Sequence, residues 1–133
     1  MRMVAKLVIV DADKKYLLMK RSAHPTFGSD PDLPGGTIEP GEEPREAMVR
    51  EVYEEVGFVV DGSKATLLYE GADYSAHGTH YSLYITDVQE RPELTISWEH
   101  AGYEWLELEA LLDKAKSAKD TYMHMVYDQL KNL

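Results

Sequence analysis

The chain has 133 residues, enough for one domain with a real hydrophobic core and no covalent staple. It contains no cysteine, which excludes disulfides, thiolate metal sites and cysteine nucleophiles and fits a reducing, cytoplasmic setting. A formal charge of −10 argues against a broad surface for nucleic acid or an anionic membrane, so neither is expected as a stable partner.

No stretch approaches the ~18 consecutive apolar residues of a membrane span, and residues 1–10 are too short for a secretory signal. Residues 3–10, rich in β-branched side chains, predict a strand that ends at the turn-like Asp11-Ala12-Asp13-Lys14. Residues 16–20 predict its hairpin partner. Arg21 at that strand's end is either a surface charge or a fork for phosphate oxygens. Residues 22–32 form a loop carrying His24, a candidate substrate contact or simply an exposed histidine. In Leu33-Pro34-Gly35-Gly36 the two glycines permit backbone geometry that side chains forbid, so the Gly36 carbonyl can approach a cation.

A helix is expected from Glu42-Glu43-Pro44, where proline's missing N–H costs nothing and acids suit the dipole, to an αL stop at Gly57. At about 100° per residue, Glu51, Glu54 and Glu55 fall within one arc, while Val49, Val52, Tyr53 and Val56 are expected to make the opposite, core-facing stripe. Like charges so spaced repel by a few tenths of a kcal/mol per pair. Oxygen donors without Cys or His suit a hard ion, Mg²⁺ or Mn²⁺, better than zinc. Arg50 stands four residues before Glu54 and can pair with it. Glu42 is open between a loop brace or ligand and a plain N-terminal acid.

Strands follow at 65–70 and 80–86, separated by a loop holding Tyr74, and the last strand is expected at 103–106. Helices are expected at 108–116 and 120–130, with Asp120 as N-cap and Tyr122, Val126, Gln129 and Leu130 as a packing stripe. The pattern alone specifies an α/β or α+β fold in one domain, 1–133, with no repeat or linker.

Residues 36–58, with Gly36, Glu42, Arg50-Glu51, Glu54-Glu55 and Gly57 in frame, match every defined position of the Nudix box, so the chain resembles the Nudix hydrolases. The segment Glu99-His100-Ala101-Gly102-Tyr103-Glu104-Trp105 resembles the Glu-His-x-x-Tyr-x-Trp stretch of MutT-type members. The resemblance implies an α/β/α sandwich with a mixed sheet and a loop-helix-loop catalytic motif. It implies Mg²⁺, with Mn²⁺ as substitute, held by the Gly36 carbonyl, Glu51, Glu54, Glu55 and Glu99, with Arg50 holding the carboxylates in place. The general base would be Glu51 or Glu99, and Arg21 would contact phosphate. The implied reaction is hydrolysis of a nucleoside diphosphate linked to another moiety, foremost a MutT-like nucleoside triphosphate. Fifteen residues after Phe58 stands Asp73, not the proline that would suggest ADP-ribose, while Tyr74 at sixteen fits the dinucleoside-polyphosphate marker. A sugar-nucleotide hydrolase and a catalytically silent nucleotide-binding module are the alternatives. A homodimer is common among such proteins.

Overall fold

The computed structural model describes residues 1–133. Strands β1 (Met3–Val10) and β2 (Tyr16–Arg21) form the expected hairpin, but they share one couple, Val10↔Tyr16, and then diverge. Two short strands absent from the sequence reading, β3 (Pro31–Asp32) and β4 (Gly35–Thr37), occupy the opening. β3 pairs with β2 and β4 with β1, both antiparallel. Leu7 N–H donates to the Pro34 carbonyl at 3.0 Å and Arg21 N–H to that of Asp30 at 3.0 Å, so residues 30–37 bridge both sides of the split.

Three further strands complete the sheet: β5 (Thr66–Gly71), β6 (His80–Asp87) and β7 (His100–Leu106). β6 runs parallel to β1 along its whole length and antiparallel to β5, and β7 runs antiparallel to β2, so the seven-stranded sheet is mixed. β7 begins three residues earlier than its apolar pattern suggests, because Arg21 pairs with His100 after a bulge.

Side chains alternate across the strands, so both sheet faces need cover. Ala5, Leu7, Ile9, Leu17 and Met19 pack under helix α1 (Pro44–Val56) with Met48, Val52 and Val56. Val8, Val10, Leu18 and Leu83 pack under α2 (Leu108–Lys116) and α3 (Tyr122–Leu130) with Leu111, Met123 and Val126. The result is the α/β/α sandwich. Each fully buried side chain of this kind stabilises the fold by about 1.5–3 kcal/mol relative to exposure.

Two expectations about helices need correction. Tyr53 is 56% exposed and Val49 only half-buried; the buried stripe of α1 is Ala47, Met48, Val52 and Val56. The burying arc is rotated toward the glutamates, so Glu51 and Glu55 lie on its shoulder rather than opposite it. α3 starts at Tyr122 with Thr121 as N-cap, although the Asp120 carboxylate still accepts the Tyr122 N–H at 3.3 Å. At the other end of α1, Gly57 has φ 75° and donates to the Tyr53 carbonyl at 2.8 Å, the αL stop expected. No helix is long and apolar enough to cross a membrane.

Candidate active site

The divergence of β1 and β2 leaves a cavity of about 410 Å³ between α1 and the N-terminus of α3. Gly36, Glu51, Glu55, Glu99, Arg21 and His24 all line it, so most of the residues singled out in the sequence converge on one place. Glycine at position 36 leaves room for the Glu51 side chain. A Cβ on it would overlap the Glu51 carboxylate, and that close approach puts backbone and carboxylate oxygen side by side.

Glu42 and Arg50 stand at its rim, and Glu54 and Tyr74 do not line it either. Glu54 is on the outer flank of α1 with its side chain 56% exposed, bonded to Arg50 at 3.1 Å. Tyr74 packs against the α2/α3 core, where its hydroxyl donates to Asp128 at 2.6 Å, a bond that pushes the phenol up to about 12. An amino-acid offset carries no information about that tertiary partner.

Arg50 gathers the rim. Its Nε and Nη2 each meet one Glu42 oxygen at 2.8 Å, a bidentate fork, while Nη1 reaches Glu51 at 2.9 Å and Nη2 the Thr37 carbonyl at 3.1 Å. These bonds hold the Glu42 carboxyl at about 2. Glu42 Oε1 also accepts the Glu39 N–H at 2.9 Å, so Glu42 braces the loop from which Gly36 and the helix depart.

Below the rim lies a network that the sequence reading missed. Asp32, 4% exposed, receives Lys6 Nζ at 3.2 Å, His100 Nε2 at 3.0 Å and the Tyr122 hydroxyl, with Arg21 Nη2 at 3.6 Å. Burial alone would raise its carboxyl, but Lys6, the His100 bond and Arg21 hold it well below the usual carboxylate range. Lys6 also donates to the Leu33 carbonyl at 3.0 Å, and Arg21 reaches Asp120 at 3.2 Å. Lys6 was the available signal: a lone cation inside an apolar strand must find a buried partner.

Glu55 sits between rim and network. Burial pushes its carboxyl up to about 7 against the pull of Lys6, and the charges of Asp32 and Glu99 add to the rise. Its Oε1 is buried with no hydrogen-bond partner. An orphaned carboxylate oxygen beside Glu51 and the Gly36 backbone is an oxygen donor set that fits a hard divalent cation. A mixed group, Asp32, Glu55 and His100, also brings its ligand atoms within 4.8 Å of one another, but there His100 Nε2 is already bonded to Asp32 at 3.0 Å.

The NUDIX domain family model matches residues 1–126. A curated relative in Escherichia coli (strain K12), 8-oxo-dGTP diphosphatase, is 29% identical over 81% of this chain and 81% of its own length. ADP-ribose pyrophosphatase of Methanocaldococcus jannaschii is 38% identical over 60% of this chain. The chain spans only 47% of that protein and 64% of a Bacillus subtilis relative that it matches at 31% identity. Among solved structures, the MutT protein of Methanosarcina mazei Go1 superposes with a TM-score of 0.75 at 21% identity, covering 98% of this chain and 93% of that one. With the box in frame, the sandwich in place and a family match over nearly its whole length, the chain belongs to the NUDIX domain family.

Proposed function

We propose that the protein is a divalent-metal-dependent pyrophosphohydrolase acting on a nucleoside diphosphate linked to another moiety. The observation that carries this reading is the convergence of the Gly36 backbone, Glu51, Glu55 and Glu99 in one cavity, with a buried Glu55 oxygen left unpartnered. The relatives named 8-oxo-dGTP diphosphatase and ADP-ribose pyrophosphatase share this bond cleavage, and the first name supports a MutT-like triphosphate as substrate.

Gly36, Glu51 and Glu55 would hold Mg²⁺, with Glu99 completing the set from across the cleft. When bound, Mg²⁺ supplies charge neutralisation at the pyrophosphate and acidifies water for attack on phosphorus. Arg50 fixes Glu51 so that its free oxygen keeps one direction. Glu51 or Glu99 accepts the proton of the attacking water; the P–O–P bond breaks and the leaving phosphate departs with its electron pair. Arg21 lies at the cavity wall with Arg2 and Lys6, its guanidinium held by Asp32 and Asp120 and available to an incoming phosphate chain. The net charge of −10 makes such local cations necessary for an anionic substrate.

The test is product analysis at about pH 8 with millimolar Mg²⁺. Standard and oxidised nucleoside triphosphates, ADP-ribose and a sugar nucleotide are compared in wild type and Glu55→Gln. Release of a nucleoside monophosphate, abolished by the variant and by chelator, is the expected result. Nucleotide binding without turnover of any compound would instead identify a silent module.

A further inference from the structure

Glu99 is the one proposed cation ligand that comes neither from α1 nor from β4 beside it. It ends the connection between β6 and β7, where Ser97, Trp98 and Glu99 are all exposed. Few bonds fix its direction: its N–H meets Ser97 Oγ at 3.3 Å, and its carbonyl accepts the Ser22 N–H at 2.9 Å. The next residue is the reverse case. His100 is 6% exposed, and its Nε2 lies 3.0 Å from Asp32 Oδ2. An ionised carboxylate only accepts, so Nε2 carries the hydrogen.

Asp32 divides its two oxygens between the two sides of the cleft. Oδ1 takes Lys6 Nζ at 3.2 Å, the Leu33 N–H at 2.9 Å and the Tyr122 hydroxyl. Lys6 also holds the Leu33 carbonyl, and Leu33 stands three residues before Gly36, which pairs with Ala5 of β1. Oδ1 thus belongs to the Gly36 side. Oδ2 takes His100, which leads directly to Glu99. One buried carboxylate is the common reference for two proposed ligands from different elements.

Charge balance does not require the imidazole, because Lys6 and Arg21 already face Asp32 with two positive charges. Packing does not favour it either. His100 Nδ1 is buried with no hydrogen-bond partner, an arrangement that costs stability. What the imidazole supplies is reach: it ties the residue beside Glu99 to the same carboxylate that fixes Leu33.

We propose that His100 is a positioning residue for Glu99: its bond to Asp32 fixes the backbone from which the Glu99 carboxylate enters the cavity. The proposal rests on the cation site given above and adds the buried couple that sets its width. His100 does not line the cavity and acts only through its neighbour.

Electron paramagnetic resonance of free Mn²⁺, titrated with the full chain in the absence of substrate, tests this. Glu99→Gln should weaken Mn²⁺ binding about tenfold, and His100→Leu by a similar factor. The Glu99→Gln/His100→Leu protein should bind no more than about twofold more weakly than Glu99→Gln alone, because residues acting as one unit are not additive. His100→Gln, whose amide nitrogen reaches as far as Nε2, should recover most of the affinity that His100→Leu loses. If urea denaturation shows that His100→Leu does not fold, His100→Asn, whose amide stops short of Asp32, takes its place in the cycle with the same expectations. Losses that multiply in the double variant, wild-type affinity in His100→Leu, or a glutamine variant as weak as the leucine one would overturn the inference and leave the cation site intact. No weakening by Glu99→Gln would remove Glu99 from the cation site and the inference with it. Binding is read without turnover, so a protein that hydrolyses nothing still decides the question.

Discussion

The molecule holds two charge hubs of inverse design, which reach the same cavity through Glu51 and Asp32. At the rim, one cation, Arg50, collects the carboxylates of Glu42, Glu51 and Glu54. In the interior, one carboxylate, Asp32, collects Lys6, Arg21, His100 and the Tyr122 hydroxyl. The rim hub is half open to solvent, where water and salt can replace any partner. The interior hub has no such substitute, so removing one member leaves a buried charge without its partner. Water access therefore decides which hub tolerates change and which holds the floor of the site fixed.

The largest expected effect lies at the interior hub. Asp32→Ala leaves Lys6 and Arg21 without their shared counter-charge and should lower unfolding free energy by about 3–5 kcal/mol. Urea denaturation measures it, and a loss under about 1 kcal/mol would erase the contrast. At the rim, Arg50→Ala should cut kcat/KM by about 10–100-fold while changing stability by only about 1 kcal/mol. A stability loss as large as that of Asp32→Ala would make the two hubs equivalent.

Glu55, between the hubs, gives a pH signature. Its folded carboxyl lies at about 7, above the ordinary glutamate value, so the metal-free fold binds more protons than the unfolded chain between those values. Metal-free stability from this group is thus greatest at low pH and falls as pH rises toward 7. Cation binding must displace the same proton, so Mg²⁺ affinity should weaken by up to about tenfold per pH unit below 7. Calorimetry in buffers of different ionisation enthalpy should show proton release near pH 7, and none would place Glu55 outside the cation site. The smallest effect is at Glu54. Glu54→Gln should change stability by less than about 0.5 kcal/mol and reduce turnover less than Glu55→Gln, as steady-state kinetics will show.

The same contrast explains what the sequence disclosed. Arg50, Glu51 and Glu54 lie within one helical turn, and Glu42 only eight residues earlier, so a local pattern contains the rim hub. The interior hub joins residues 6, 21, 32, 100 and 122, distances along the chain that no periodicity encodes. The strands β1, β2, β5 and β6 and all three helices were legible because alternation or helical spacing marks them. β3 and β4 were not: at two and three residues, with Pro31, Gly35 and Gly36 among them, they carry almost no strand propensity and exist because the split between β1 and β2 offers partners. Tyr53 misled for a related reason, since an aromatic at helical spacing looks like core until the docking angle is known.

The single couple between β1 and β2 makes the sheet two leaves joined at a crease. One leaf is β1, β6 and β5 with Gly36 attached; the other is β2 and β7, carrying Arg21 and, at its start, the Glu99 loop. A ligand that touches Gly36 and Arg21 together acts as a clasp across that crease. Its affinity is then coupled to the stiffness of the whole sandwich, and the amides of Leu7 and Arg21, which bond to the carbonyls spanning the gap, are where the fastening is felt.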